Sequence, residues 1–236
     1  MLFSSLNHRH RTHEWMDDPN ANADQLRKSL AFIRRTNTLL RYTRSTLHHL
    51  TRFTQSLPAL TPLKILDVAT GSGDVPRAIV RWASKRKLDV RVTGIDLQSK
   101  TIHEASASSN NHLHFLQADA LNLPFADGTF DYAITSLFLH HLDEPQIVAV
   151  LSEMNRVSQR GIIAGDLIRS KRAYFWITLF TLLSNPMVRH DGRASVAQAL
   201  TRPEILSLRD LAGVTYASYH KHFAHRFVLA GQKPGV

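Results

Sequence analysis

The feature that most constrains this chain is the run Ile65-Leu66-Asp67-Val68-Ala69-Thr70-Gly71-Ser72-Gly73-Asp74. An apolar strand ends in an acid, and a glycine turn then opens a helix. Such a turn lets backbone N–H groups approach a ligand closely, and a helix start favours polar or anionic groups. A second acid closes the next apolar run, Val92-Thr93-Gly94-Ile95-Asp96. That spacing suits a nucleoside whose ribose hydroxyls need a carboxylate acceptor. A third acid, Asp119, follows the third apolar run. Carboxylates at three successive strand ends cost desolvation unless they accept hydrogen bonds, so a purely structural role accounts for them poorly.

The hydrophobic pattern around these acids alternates between two periods. Strands are predicted over 63–68, 90–96, 113–118, 130–135 and 161–166, and helices over 75–85, 100–108 and 144–157. This alternation implies a doubly wound α/β fold with a mostly parallel sheet and helices on both faces. Ligands in such sheets sit beyond the carboxyl ends of the strands. Thr201-Arg202-Pro203-Glu204 reads as a capped helix start. Segments 214–219 and 222–230 read as a closing, antiparallel strand pair. Residues 173–183 are apolar nearly all round a helix and should be buried or cover an apolar ligand.

The domain plan has three parts. Residues 1–20 have no apolar period and are expected not to order by themselves; His8, His10 and His13 there read as metal capture or as a polar tail. Residues 21–60 are expected to form a helical N-terminal cap, with Leu26, Leu30, Ile33, Leu40, Leu47 and Leu50 at roughly helical spacing. The α/β domain fills 61–236, with a helical insertion at about 170–200.

Composition limits the rest. The chain has 236 residues and no cysteine, which excludes disulfides and thiolate metal sites. No apolar run approaches the roughly 20 residues of a membrane span, and the N-terminus lacks a secretory apolar core, so a cytoplasmic location is expected. The net charge of +10 is compatible with nucleic acid, anionic lipid or an acidic substrate. The arginines are scattered, however, and form no stripe interleaved with aromatics.

The segment from Leu66 to Asp74, together with Asp96, resembles motif I and its partner acid in the class I S-adenosylmethionine-dependent methyltransferases. It is most similar to the branch containing the ubiquinone and menaquinone biosynthesis methyltransferases. Ala69 stands where the family's first glycine is usual, and Pro76 stands where a dinucleotide fold has its third glycine. The stretch Ala118-Asp119-Ala120-Leu121-Asn122-Leu123-Pro124-Phe125-Ala126-Asp127-Gly128-Thr129-Phe130-Asp131 is similar to the family's third- and fourth-strand region. The resemblance covers about residues 63–166 and implies a Rossmann-like sheet with S-adenosyl-L-methionine as cofactor. It places the cofactor against Asp67, Ala69, Thr70, Gly71, Ser72, Gly73, Asp96, Leu97, Asp119, Ala120 and Ser136. Asp96 would accept from the ribose hydroxyls, Asp119 would face the adenine amino group, and Ser136 would lie beside the methionine or sulfonium end.

The acceptor is less legible. His140 and His141 follow the fourth strand and read either as a base for a phenol or enol proton or as helix-capping and packing groups. His190 with Asp191 reads as a second base or as a turn with Gly192 at positive φ. Asp166 ends the fifth strand and completes the catalytic candidates; no metal is called for. The segment after the fourth strand lacks the Asp/Asn-Pro-Pro-aromatic signature that resembles exocyclic-amine methylation of nucleic acids. The expected substrate is a small, hydrophobic, hydroxylated aromatic, quinol or polyketide-like molecule, methylated at oxygen or carbon. Alternatives are a nucleic-acid- or ribosome-directed methyltransferase, a non-catalytic nucleotide-binding protein, and a protein using 173–183 for peripheral membrane contact.

Overall fold

In a computed structural model, residues 6–12, 14–17, 28, 29, 32 and 42–235 are described. Seven strands form one sheet: β1 (Pro62–Val68), β2 (Asp89–Asp96), β3 (Leu113–Gln117), β4 (Phe130–Ser136), β5 (Ser158–Leu167), β6 (Ser218–His222) and β7 (Arg226–Gln232). Their spatial order is β3-β2-β1-β4-β5-β7-β6. The first five pair in parallel, and β7 runs antiparallel between β5 and β6. The order reverses between β1 and β4, which opens a crevice at their carboxyl ends.

The described helices are α1 (Tyr42–Phe53), α2 (Asp74–Arg86), α3 (Ser99–Ser106), α4 (Glu144–Val157), α5 (Lys171–Phe180), α6 (Pro186–Gln198) and α7 (Arg202–Leu211). Strand side chains alternate faces, and the core divides accordingly. Ile65, Val92, Tyr132, Ile134 and Ile163 pack with Leu50 of α1 and Val75, Ile79 and Ala83 of α2. Leu66, Val68, Ile95, Ala133 and Ile162 pack with Ile147, Val150, Leu151 and Met154 of α4 and Ile205 and Leu208 of α7. Asp143 and Gln146 close a reciprocal capping box at the start of α4, and Thr201 and Glu204 do the same for α7. No helix among the described residues is long and apolar enough to cross a membrane.

Four expectations need correction. The closing strands fall later, at Ser218–His222 and Arg226–Gln232. Val214 and Ala217 are core residues in the turn after α7, where their apolar character serves packing rather than pairing. The Arg189–Gly192 segment is inside α6, not a turn. A Cβ on Gly192 would lie 3.0 Å from Ile177 Cγ1, so this glycine lets α5 and α6 approach closely. Most of the 173–183 segment is not buried: Phe175, Trp176, Leu179, Phe180, Leu182 and Leu183 are exposed, while Ala173 and Thr181 are buried. Finally, β5 starts at Ser158, because α4 runs into it without a loop.

Residues 21–27, 30, 31 and 33–41 of the expected 21–60 cap lie outside the described residues. Its described helix, α1, packs on the sheet beside α2. The N-terminal segment expected not to order alone draws its contacts from the domain. Arg9 donates to the carbonyls of Gln198 (2.6 Å), Leu139 (3.2 Å) and His140 (3.0 Å).

Candidate active site

The loop after β1 is set by its own backbone. Ala69, Gly71 and Gly73 have φ of 56°, 54° and 76°, all left-handed. Glycine meets this requirement freely, whereas Ala69 costs about 1 kcal/mol. A Cβ added to Gly71 meets nothing within 4 Å, so the backbone there faces open space. Below the loop, a Cβ on Gly94 would lie 2.7 Å from Thr70 Oγ1 and 2.8 Å from the Phe115 ring; only glycine lets β2 pass this closely. Thr70 N donates to Ile95 O at 2.8 Å, tying the loop to β2.

Two of the three strand-end acids brace this loop. Asp96, half-buried, accepts from Gly71 N through Oδ2 and from Gln98 N through Oδ1, both at 3.0 Å. Each of its oxygens keeps a further lone pair. Asp67 is 1% exposed; its Oδ2 accepts from Thr70 Oγ1 at 2.7 Å, and its Oδ1 is buried without a partner. Burial pushes the Asp67 carboxyl up to about 7; the Thr70 hydroxyl opposes this, and the charge of Asp96 adds to it. Asp119 is exposed and accepts from Leu121 N at 2.9 Å, with Ala120 buried beside it. Leu97 is exposed beyond the end of β2. Ser72 Oγ bonds Asp74 at 3.1 Å, and Ser136 Oγ at the end of β4 is buried without a partner. The crevice thus combines a backbone cradle with two orphaned buried oxygens, one of them on a carboxylate. Buried polar atoms are normally paired, so these two leave unmet hydrogen-bonding capacity in the crevice.

Two of the histidine candidates and Asp166 meet at the end of β4. Leu139–His141 is a single 3-10 turn. Asp166, at the end of β5, accepts from both His140 N (2.9 Å) and His140 Nδ1 (2.7 Å). Burial raises the Asp166 pKa, but the imidazole and three hydrogen bonds outweigh it and hold the carboxyl below its ordinary value. An ionised carboxylate only accepts, so the ring proton sits on Nδ1 and Nε2 is the basic nitrogen. Nε2 lies 3.9 Å from Glu14 Oε1, and the tilted His141 ring has its centroid 4.2 Å from that of His140.

His190 stands apart from this pair. Its Nδ1 bonds Asp191 at 2.9 Å, as expected, but Asp191 also accepts from Trp15 N (2.8 Å) and Met16 N (3.1 Å). Trp15 stacks on His190 at 4.4 Å. The pair therefore anchors the N-terminal segment, beside a pocket of about 240 Å3 whose walls include Trp15, Thr178, Leu182 and Arg193. Glu14 joins the two histidine centres, since Ser195 Oγ donates to it at 2.7 Å and also bonds Asp191 O at 2.8 Å. Glu14 and Arg9 escaped the sequence reading, because their value depends on contacts more than 100 positions away.

Ligand atoms of Glu14, His140 and His141 lie within 4.8 Å of one another. Arg9 already supplies a cation to this network, with its guanidinium on the His140 carbonyl and drawn by the Asp166 charge. The Asp166 carboxylate is held by the His140 imidazole, with the Arg9 guanidinium nearby, and Glu14 accepts from Ser195 Oγ and Gln198 Nε2.

Residues 65–161 match the family described as Methyltransferase domain. Over 105 residues it is 36% identical to a demethylmenaquinone methyltransferase of Porphyromonas gingivalis, covering 42% of this chain and 41% of that protein. It is 31% identical over 129 residues to the 27-O-demethylrifamycin SV methyltransferase of Amycolatopsis mediterranei, covering 50% and 45%. The chain therefore spans about two-fifths of the curated relatives it matches first. The solved plantazolicin methyltransferase BpumL, in complex with SAH, superposes with a TM-score of 0.69 at 18% identity, covering 90% of this chain and 78% of that one. This likeness extends the shared fold well beyond residues 65–161.

Proposed function

We propose that the chain transfers a methyl group from S-adenosylmethionine to a small, largely apolar acceptor, a hydroxylated aromatic, quinol or polyketide-like ring, at oxygen or ring carbon. The observation that carries this reading is the crevice over β1 and β4, where the 69–73 backbone, Asp67, Asp96 and Ser136 leave unmet hydrogen-bonding capacity. The orphaned Asp67 carboxylate oxygen fits a cationic amino group, and the spare lone pairs of Asp96 fit a pair of ribose hydroxyls. Asp119 and Ala120 stand at the next strand end for the adenine. When bound, the cofactor supplies a methyl already activated by a sulfonium.

The protein's part is orientation, exclusion of water and removal of one proton. Holding two reactants in line can lower a barrier by roughly 7–11 kcal/mol. Asp166 fixes the tautomer and direction of His140, and the arm carrying Arg9 and Glu14 covers it. We assign His140 as the base for the acceptor's hydroxyl proton and Asp166 as its positioning residue. The His190–Asp191 pair serves instead to dock the arm. The relatives' printed acceptors, a demethylmenaquinone and a rifamycin, support a ring-bearing apolar substrate.

The test is methyl transfer from labelled S-adenosylmethionine to demethylmenaquinol and simple phenols, followed by mass spectrometry, with bulk RNA as the competing acceptor. Label on a small ring is expected; label on RNA alone overturns the reading. In the same assay His140→Ala should lower kcat about 100-fold with little change in the KM for cofactor, and wild-type turnover would remove the histidine from the mechanism.

The exposed Phe175, Trp176, Leu179 and Leu183, flanked by Lys171 and Arg172, support peripheral contact with an anionic membrane from which such a substrate is drawn. Flotation with phosphatidylglycerol vesicles should carry the protein, and Trp176→Ser with Leu179→Ser should release it. Equal flotation of wild type and variant would rule this out.

A further inference from the structure

Outside the crevice, the cavity of about 240 Å3 between α5, α6 and the N-terminal arm has the chemistry of a ligand site. Part of its wall is flat and apolar. Trp15 stacks on His190 with the two rings 12° from parallel, and Leu182 and Pro186 add aliphatic surface. Trp15 and Leu182 are 45% and 55% exposed, although both line the cavity. A ring seated against them would take from water apolar surface that the chain itself leaves uncovered. About 150 Å3 suffices for benzene, so this cavity has room for one aromatic ring and a small substituent.

Its polar groups are unequally distributed. Thr178 and Thr181 each donate the hydroxyl proton to the carbonyl four residues back, at 2.7 Å, so neither has a proton left for a ligand. The donors are Arg189 and Arg193, one turn apart on α6 and both half-buried. Arg193 Nε donates to Arg189 O at 2.8 Å. Beyond that bond, neither guanidinium has a hydrogen bond or an ion pair among the described residues. Arg156, Arg160 and Arg169, by contrast, are each paired with a carboxylate. None of the described residues that line this cavity is acidic. Asp191, the acid nearest in sequence, uses its oxygens on Trp15 N, Met16 N and His190 Nδ1. Two like charges one helical turn apart therefore share a cavity without an anion to relieve their repulsion.

We propose that this cavity binds a small aromatic carboxylate, with its ring against Trp15 and Leu182 and its two oxygens on Arg189 and Arg193. A carboxylate suits these donors because a guanidinium fork bonds both of its oxygens in parallel. The site touches the arm through Trp15 but includes no residue of the crevice over β1 and β4, so it is independent of the methyl-transfer reading.

The test is calorimetric titration of the cofactor-free full chain with benzoate. Acetate and benzyl alcohol serve as probes that carry only the charge or only the ring. We expect one saturable benzoate site per chain, with each partial probe at least about tenfold weaker. Arg189→Gln with Arg193→Gln should weaken benzoate at least about tenfold, with the circular dichroism unchanged. Should that double variant fail to fold, Arg193→Lys alone, which keeps the charge and loses the fork, should still weaken benzoate about threefold or more. Acetate as tight as benzoate would mean attraction by charge alone, and benzyl alcohol as tight would mean apolar contact alone; either overturns the proposal. So does a wild type with no saturable benzoate site, or benzoate affinity that survives loss of both arginines.

Discussion

Asp96→Ala is expected to weaken binding of S-adenosylhomocysteine at least about 100-fold by calorimetry. The carboxylate already accepts from Gly71 N and Gln98 N, and it keeps two lone pairs for a ligand's hydroxyls. Hydrogen bonds to a charged group contribute roughly 1.5–3 kcal/mol each, so loss of two amounts to about 3–6 kcal/mol. A second loss adds to the first, because Gly71 N is then unpaired and the cradle loosens. Asp96→Asn should fall between wild type and alanine, since its amide oxygen can replace only one accepting arm. Thermal unfolding separates the two contributions: a variant with unchanged midpoint and lost affinity has lost ligand contacts. Affinity equal to wild type in the alanine variant would remove Asp96 from the ribose and would take the crevice reading with it.

What the sequence discloses about this molecule is what depends on near neighbours. Asp67, Gly71, Gly73 and the start of α2 lie within ten residues, and the glycine turn follows from residue type, whereas the left-handed Ala69 does not. Alternating apolar runs likewise announce the parallel sheet, and Thr201 announces its helix through a capping box. The His140–Asp166 pair was readable as two residues at successive strand ends but not as a hydrogen bond, because only the adjacency of β4 and β5 brings them to 2.7 Å. Three features were illegible. Glu14 and Arg9 sit in a basic, aperiodic stretch and acquire meaning only on the domain surface. Gly192 signals a turn by type, yet serves helix contact, since close packing and positive φ select the same residue. The apolar 173–183 segment reads as core by composition alone, and only its position outside the sheet layers leaves it facing solvent.

Asp67 should give the protein a stability that falls as pH rises from about 4 to about 7, which is the reverse of the usual carboxylate behaviour. In the unfolded chain an aspartate titrates near 3.9. In the fold, burial raises Asp67 to about 7. Between these values the native state binds more protons than the unfolded state, so deprotonation favours unfolding. Three pKa units correspond to about 4 kcal/mol, lost progressively up to about pH 7 and level above it. Other groups titrate in the same window, so the informative quantity is the difference from Asp67→Asn, which keeps an acceptor for Thr70 and has no charge to bury. Denaturant unfolding at a series of pH values should show the two proteins converging near pH 4 and the asparagine variant several kcal/mol more stable at pH 8. The same variant should gain less stability from S-adenosylhomocysteine at pH 8, because it lacks the charge that a ligand's amino group would neutralise. Parallel pH profiles would mean that Asp67 is ionised and satisfied in the empty fold, and the case for a cationic group at its free oxygen would then fall.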